Sequence, residues 1–243
     1  MAGFYEAIVK NAKGTVYDLG AGSGILSALA APHSNFVYAV EINKSIAECA
    51  RSNLKYIDNI EVINADATKF SFSNKADVII CEMLDTALID EEQVPVLNSV
   101  RKYLKDDGII IPCGILNCIE PVQVDTEDIC YEEDGHPKNR VLGDPNFYSR
   151  INFMKYTSET FNESLNIKIK KQGIVSGIKI TTFTLITDDI ICGPTPMLNP
   201  PLIIPVERTK VYPGEIIQLH LHYHMGGGLE SVRARIENIC TRS

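Results

Sequence analysis

The sequence lacks the features that mark several large classes of protein. No uncharged apolar run approaches the ~18 residues that a membrane-spanning helix needs, and the amino terminus has no basic flank leading into an apolar segment. The seven cysteines form no Cys-x-x-Cys pair and are odd in number, which disfavours both a zinc ribbon and a disulfide framework. Basic residues are outnumbered 23 to 31, so the positive charge typical of phosphate-backbone binding is missing. We therefore expect a cytoplasmic protein with no membrane partner, for which nucleic acid is a disfavoured partner and a cationic molecule a favoured one.

What the chain does contain is typical of a globular protein. Its 243 residues are 45% apolar and 22% charged, which excludes wholesale disorder. This length suits one large α/β unit or two modest ones.

The first part of the chain, residues 1–112, alternates apolar strands with helices. Such alternation predicts a mostly parallel, doubly wound sheet. Helices are predicted after residue 24, over residues 44–56 and over residues 93–104, where Asp106, Asp107 and Gly108 stop the last one. The predicted strands are residues 15–19, 36–40, 60–64, 77–81 and 109–112.

The pattern changes in residues 113–243, where helical periodicity fades and glycine and proline punctuate short apolar segments. This part predicts a β-rich domain of antiparallel strands, with a polar insertion near residues 125–150. The clearest feature is a hairpin over residues 215–237 that turns at Gly226–Gly228. The other predicted strands are residues 114–124, 167–170, 178–185 and 190–192.

A glycine loop lies between the first strand and the first helix. Glycines at positions 20, 22 and 24 allow a sharp turn and close approach of a ligand to the backbone. The third position after Gly22 is Ile25, so the dinucleotide fingerprint fails, and no lysine follows to make a phosphate-binding P-loop. The loop therefore suits a nucleoside without phosphates, the alternative being a tight turn beside solvated acids.

Two acids follow the next two strands. Glu41 ends the second strand, 19 residues after Gly22, where a carboxylate can hold both ribose hydroxyls. Asp66 follows the third strand and is placed to accept a hydrogen bond from the exocyclic amine of adenine.

The runs VYDLGAGSGIL, VYAVEIN and INADA together resemble the S-adenosylmethionine pocket of class I methyltransferases. The resemblance implies that Asp18 and the Gly20–Gly24 loop meet the methionine end of the cofactor, Glu41 its ribose and Asp66 its adenine. Within that superfamily the chain is most similar to protein arginine methyltransferases, well over residues ~4–124 and loosely over ~172–238. That family implies a Rossmann-like sheet followed by an antiparallel β-barrel-like domain, as well as a possible homodimer.

Two glutamates are the candidate catalytic residues. Glu82 follows the fourth strand, where doubly wound sheets place substrates, and Glu91 lies nine residues later. Arginine methyltransferases carry two glutamates at this spacing to bracket a guanidinium, whose planar donor pairs match carboxylates bidentately. Alternatively, Glu82 is a strand-end acid facing water and Glu91 an acid favoured by a helix dipole.

The family pattern is broken in three places. Its Thr-His-Trp loop should fall near residues 197–201, where this chain has Met-Leu-Asn-Pro-Pro, and the sequence contains no tryptophan. The segment that covers the cofactor is reduced to a few residues before Phe4, and residues 125–150 replace the dimerisation arm at most. The Asn199–Pro201 run lies too far along the chain for an adenine or glutamine methyltransferase motif, so we interpret it as a rigid loop.

His220, His222 and His224 alternate with apolar residues and share one face of a predicted strand. We favour leucines facing the core and histidines facing solvent or a partner; a metal site and a substitute for the missing family histidine are the alternatives. We expect no metal in the reaction.

The sequence thus predicts an S-adenosylmethionine-dependent enzyme that methylates a nitrogen, with arginine in a basic protein or peptide as the favoured acceptor. A methyltransferase acting on RNA or a small amine is one alternative. A binding or scaffold protein that has lost catalysis is the other.

Overall fold

The computed structural model of the protein describes residues 1–195 and 198–241. Within the first of these ranges, five parallel strands form one sheet: β1 (Thr15–Leu19), β2 (Phe36–Glu41), β3 (Ile60–Asn64), β4 (Ala76–Cys81) and β5 (Leu104–Ile111). The strand order is β3-β2-β1-β4-β5, so the direction of winding reverses between β1 and β4. In open sheets of this kind ligands bind at that reversal, beside the carboxyl ends of the strands.

Helices connect these strands and begin where the local sequence favours it. They are α1 (Ala2–Asn11), α2 (Ile25–Ala30), α3 (Lys44–Leu54) and α4 (Gln93–Val100). Helix α3 is the clearest case, because the side chain of Asn43 accepts hydrogen bonds from the N–H groups of Ser45 and Ile46. Its apolar face buries Ala47, Ala50 and Leu54.

The second part of the chain is built from antiparallel strands. In the residues described, one sheet has the order β7-β13-β11-β6-β8, with β12 paired to β11 and β9 to β6, and another has the order β10-β14-β15. These strands are β6 (Gly114–Val124), β7 (Cys130–Tyr131), β8 (Asn139–Val141), β9 (Asn146–Asn152), β10 (Thr160–Lys168), β11 (Gly173–Leu185), β12 (Ile191–Cys192), β13 (Leu202–Val211), β14 (Glu215–His224) and β15 (Arg233–Thr241).

One contiguous apolar core joins the parallel and antiparallel parts. It includes Val16 and Ile79 from the parallel sheet together with Ile119, Ile178 and Leu219 from the antiparallel strands, all of them fully buried. The strands of the second part therefore contribute to the environment of the parallel sheet. Across the residues described, no helix combines the length and apolar character that crossing a bilayer requires.

The predicted fold class, a Rossmann-like sheet followed by antiparallel strands, is confirmed. Individual elements were wrong or missed. The helix predicted over residues 93–104 is shorter, since Arg101–Tyr103 is a 3₁₀ turn and β5 already begins at Leu104. Residues 125–150, which were predicted only as a polar insertion, hold β7, β8 and part of β9, and α1 and β13 were not predicted. The division of the chain at residue 112 stays a prediction, with β5 ending at Ile111 and β6 beginning at Gly114.

Candidate active site

The glycine loop turns the chain sharply from β1 into α2. Gly20, Gly22 and Gly24 all have positive φ angles, of 70°, 55° and 87°. A Cβ on Gly20 would lie 2.9 Å from the side chain of Met83, and one on Gly24 would lie 2.5 Å from Leu54. Glycine is thus required at both positions by conformation and by space.

Glu41 joins the end of β2 to this loop. Its side chain is buried, with one carboxylate oxygen accepting from the Gly22 N–H at 3.0 Å and the other from the Asn43 N–H at 2.8 Å. Each oxygen keeps a further lone pair, so the carboxylate can still accept from a ligand hydroxyl. The two backbone contacts fix the direction of that carboxylate.

Asp18 lies beneath the loop, on β1, and is 1% exposed. The hydroxyl of Ser27 donates to its Oδ2 at 2.5 Å. Burial raises the pKa of Asp18 to about 6, against the lowering effect of the Ser27 hydrogen bonds. A group with this pKa is poised between its neutral and charged forms near neutral pH.

Asp66 is held by its own neighbours in the chain. Its Oδ1 accepts from the N–H and hydroxyl of Thr68, at 2.9 and 2.6 Å, and its Oδ2 pairs with Lys69 at 2.7 Å. The hydrogen bond from Lys69 and, after it, those from Thr68 lower the pKa of Asp66 to about 2. The carboxylate is therefore charged at every physiological pH.

A cavity of about 610 Å³ opens at the reversal point of the sheet. It brings together four residues that the sequence pointed to, namely Gly20, Glu41, Glu82 and Glu91; Asp18, Gly22, Gly24 and Asp66 do not line it. Its lining residues are Gly20, Glu41, Ile42, Glu82, Met83, Leu84, Asp90, Glu91 and Glu92. Five of these are carboxylates, and among the residues described no lysine, arginine or histidine lines the cavity, so it suits a cation.

The two glutamates reach the cavity from different environments. Glu82 follows β4 and is half-buried, whereas Glu91 lies just before α4 and is exposed. Burial, with the charges of Glu91 and Asp18 as further causes, raises the pKa of Glu82 to about 7. A cation bound between the glutamates would offset this penalty and favour the charged form of Glu82.

Asp85 is a residue of this site whose role sequence reasoning missed. Its buried carboxylate accepts from the N–H groups of Ile89, Asp90 and Glu91, at 3.1, 2.9 and 3.3 Å. Burial raises its pKa to about 7 in spite of these backbone hydrogen bonds. Asp85 thereby shapes the turn that presents Glu91. In the sequence it is noticeable only as an acid within a mostly apolar segment.

The loop between the glutamates is tied to segments far along the chain. Ala87 and Leu88 both have φ near 60°, a left-handed conformation that is unfavourable for non-glycine residues. The Ala87 N–H donates to the Thr182 hydroxyl at 2.8 Å, and the Thr86 hydroxyl donates to the carbonyl of Pro200 at 2.5 Å. The predicted hairpin turn also takes part, because Gly226 and Gly228 donate to the carbonyls of Leu88 and Ile89 at 2.9 and 3.0 Å.

The segment where the family's Thr-His-Trp loop was expected packs against this loop. Met197 lies outside the described residues. Asn199 is buried and donates to the carbonyl of Thr182 at 2.8 Å, and Pro200 accepts from Thr86. In its described part the segment thus contacts the site loop through the Pro200 carbonyl and β11 through the Asn199 amide, and it brings no imidazole to the site.

The three histidines of β14 lie away from the cavity. Leu219, Leu221 and Tyr223 are fully buried, which confirms that the apolar residues of this strand face the core. His220 lies 3.4 Å from the Ser164 hydroxyl and His224 lies 3.2 Å from the Thr160 hydroxyl, both on the neighbouring β10. Within the described part of the chain, no group of three or more histidine, cysteine or acidic side chains is arranged to hold a metal ion.

A parallel sheet with its cavity at the winding reversal, a glycine loop after β1 and a carboxylate at the end of β2 defines a Rossmann-like nucleotide-binding enzyme. Residues 16–108 match the family model described as "Methyltransferase domain". The chain is 49% identical over 237 residues to an uncharacterized protein of Methanothermobacter thermautotrophicus, covering 97% of this chain and 92% of that protein. The chain belongs to the class I S-adenosylmethionine-dependent methyltransferases and resembles the protein arginine methyltransferases.

Solved structures and further relatives support the same class. The structure of protein arginine methyltransferase 10 of Arabidopsis thaliana matches with a TM-score of 0.77 at 18% identity, covering 91% of this chain and 83% of that one, which concerns the fold alone. Protein arginine N-methyltransferase 7 of Gallus gallus is 34% identical over 106 residues, or 40% of this chain and 15% of that protein. A ribosomal protein L11 methyltransferase of Caldanaerobacter subterraneus is also 34% identical, over 46% of this chain and 35% of that protein.

Proposed function

We propose that the protein transfers a methyl group from S-adenosylmethionine to a guanidinium nitrogen of arginine in a basic protein or peptide. The observation that carries the proposal is the acidic cavity, which Glu82 and Glu91 line together with Gly20 and Glu41. A cavity with this charge favours a cationic acceptor and disfavours RNA.

The residues at the glycine loop fit the cofactor. Gly20 lines the cavity without a side chain, and Glu41 keeps free lone pairs for the two ribose hydroxyls. In this proposal Asp18, Gly22 and Gly24 support the methionine end, and Asp66 accepts from the adenine amine through a lone pair that Thr68 and Lys69 leave free. When bound, S-adenosylmethionine supplies an electrophilic methyl group on a sulfonium.

The two glutamates aim the acceptor. Methyl transfer is an in-line displacement, so the attacking nitrogen must point along one direction, and orientation supplies much of the rate. Glu82 accepts a pair of guanidinium N–H groups and draws positive charge away from the attacking nitrogen, while Glu91 holds the other side. Glu82, which the bound guanidinium keeps charged, can also receive the proton that the methylated nitrogen loses.

The test is methyl transfer from radiolabelled S-adenosylmethionine to arginine-containing basic peptides, followed by acid hydrolysis and identification of the methylated amino acid. We expect methylarginine, and we expect Glu82→Gln to lower kcat by roughly 10²–10³-fold because a transition-state contact is lost. Glu48→Gln, which removes the same charge from the exposed side of α3, serves as the matched control. Undiminished transfer by Glu82→Gln would overturn the guanidinium clamp.

A different protein nitrogen is the second candidate acceptor, and the 34% identity to ribosomal protein L11 methyltransferase favours it. The same assay separates the two, because lysine or amino-terminal methylation gives different products on hydrolysis. Labelled RNA or a labelled small amine would support the remaining enzymatic alternatives, and cofactor binding without any turnover would support a scaffold.

We also propose a homodimer. The proposal is supported by likeness in fold to the Trypanosoma brucei PRMT1 enzyme-prozyme heterotetrameric complex with AdoHcy, with a TM-score of 0.78 at 16% identity. Light scattering coupled to size exclusion should give about twice the 26.9 kDa of one chain, and a single-chain mass would exclude the dimer.

A further inference from the structure

Gln93 makes two hydrogen bonds to the backbone on either side of Glu82. Its side chain is 0% exposed and belongs to the first residue of α4. The side-chain Nε2 donates to the carbonyl of Cys81 at 2.7 Å, and the Oε1 accepts from the N–H of Met83 at 2.9 Å. The amide therefore uses both a donor and an acceptor on a stretch of three residues.

These two backbone groups lie where the sheet can no longer satisfy them. The paired positions of β4 end at Cys81 on the β1 side and at Ile80 on the β5 side. Beyond that point a buried carbonyl or N–H needs another partner, because an unpaired one is costly. Gln93 supplies both partners and thereby restricts the peptide units that flank Glu82.

The same contacts close a loop that carries both glutamates. Residues 81–93 begin at the end of β4 and return to it through the Gln93 side chain, and Glu91 lies two residues before that side chain. A residue that only replaced a missing hydrogen bond at the end of β4 could bond to the Cys81 carbonyl or to the Met83 N–H alone. Bonding to the groups on both sides of Glu82 fixes the direction in which the carboxylate leaves the backbone.

We propose that Gln93 is a positioning residue for Glu82, which it holds toward Glu91 across the cavity. An effect of Gln93 on catalysis rests on the proposed function. Its effect on the position of Glu82 can be measured in the protein without substrate. Loss of the two hydrogen bonds would allow Glu82 to turn toward solvent and away from the other carboxylate.

The first experiment follows the carboxyl of Glu82 by carbon NMR as the pH is varied, in the protein without substrate. The variants are Gln93→Met, which keeps size and removes both hydrogen bonds, and Gln93→Asn, which keeps the amide but is too short to reach both groups. Val96→Ala, a buried truncation on the same helix, is the control for general loosening. The charges that act on the pKa of Glu82 are those of Glu91, Asp18 and the amino group of Met1. The other titratable groups that face it are Glu41, Asp90 and Glu92 in the cavity and the neutral thiol of Cys81.

We expect the titration of Glu82 to move from near pH 7 toward its ordinary value in both Gln93 variants and to stay unchanged in Val96→Ala. An unchanged titration in a folded Gln93 variant would overturn the proposal. Since Gln93→Asn keeps a buried amide, it provides a folded comparison if Gln93→Met does not fold.

The second experiment measures kcat and KM for methyl transfer, together with cofactor binding by calorimetry. Gln93→Met should lower kcat by roughly 10–100-fold and leave cofactor affinity within about threefold, because misplacing an aiming group costs rate rather than binding. Loss of cofactor binding in parallel with kcat would indicate a structural role and contradict the proposal. If the wild-type protein methylates no arginine peptide, the proposed function fails, while the NMR titration still decides whether Gln93 positions Glu82.

Discussion

The acids around the cavity differ in what surrounds them, although their side chains are alike. Burial raises the pKa of Asp18 and Glu82, while Lys69 and Thr68 lower the pKa of Asp66. The buried acids can therefore change protonation near neutral pH, whereas Asp66 stays charged. For Glu82 and Asp66 this division matches the proposed roles, since proton exchange is needed beside the acceptor and a constant charge suits recognition of the adenine amine.

At the scale of single residues, we expect Glu41→Ala to weaken binding of S-adenosylmethionine by roughly 10–100-fold. The change removes the proposed ribose acceptor and also releases the N–H groups of Gly22 and Asn43, and hydrogen bonds to a charged group contribute about 1.5–3 kcal/mol. Isothermal titration on the wild type and the variant measures the effect, with Glu48→Gln as control. Equal affinities would exclude Glu41 from the cofactor site.

The acids of the cavity could be predicted from the sequence more readily than the residues that hold them in position. Glu41 and Glu82 could be predicted because each stands at the end of a strand, where a parallel sheet gathers its functional side chains. Asp85 and Gln93 could not, because their partners are backbone groups whose positions depend on the folded loop. A short side chain beside a backbone N–H leaves no spacing pattern in the sequence.

At the scale of elements, the loop over residues 85–91 is held from outside as well as from within by Asp85. Its left-handed residues, Ala87 and Leu88, each cost roughly 1–2 kcal/mol relative to a regular conformation. Hydrogen bonds from β11, from Pro200 and from the turn after β14 offset that cost. The antiparallel part thus contributes directly to the arrangement of the two glutamates.

We expect Thr182→Val to lower the free energy of unfolding by roughly 1–3 kcal/mol and to reduce methyl transfer more than cofactor binding. The variant keeps the shape of the side chain but leaves the Ala87 N–H and the side-chain Oδ1 of Asn117 without the hydroxyl. Urea unfolding and single-turnover transfer measure the two effects. Thr184→Val is the matched control, since its buried hydroxyl lies 3.4 Å from Asn199 and makes no hydrogen bond to the loop; an equal loss of transfer in both variants would contradict the prediction.

The elements themselves were predictable to different degrees, for physical reasons. The parallel strands β1, β2 and β4 are largely apolar runs, so the sequence pattern identifies them. Strand β13 was missed because Pro205 and the polar residues 207–210 interrupt its apolar pattern, and the short strands within 125–150 depend on neighbours distant in sequence. The left-handed Ala87 and Leu88 were unpredictable, because neither residue type favours that conformation.

At the scale of the whole molecule, buried acids make stability depend on pH. Asp18, Glu82 and Asp85 have pKa values of about 6, 7 and 7, against ordinary values of 3.8, 4.5 and 3.8. Between about pH 4 and 7 the folded state therefore holds protons that the unfolded state has lost, so its stability falls as pH rises through this window. Below about pH 4 the opposite applies to Asp66, whose lowered pKa stabilises the charged form.

We expect the free energy of unfolding to rise as the pH is lowered from 8 to 5 and to fall again below about 4. A tenfold change in a proton-binding constant corresponds to roughly 1.4 kcal/mol, so the raised pKa of Asp18 alone contributes on the order of 3 kcal/mol. Urea unfolding at several pH values measures the slope, and Asp18→Asn should flatten it around pH 5–6. A wild-type curve that is level from pH 5 to 8 would contradict this assignment of the buried acids.

The groups that hold the loop over residues 85–91 come from much later in the chain, and this has a consequence for synthesis of the protein. A nascent chain carries both glutamates once residue 91 has left the ribosome, but Thr182, Pro200 and Gly228 follow about 90 to 140 residues later. At a synthesis rate of about 5–20 residues per second, the first half spends roughly 5–30 s without the groups that hold its loop. Translation therefore separates the appearance of the two glutamates from the assembly of their loop, whose hydrogen bonds are complete only once the turn after β14 has been made.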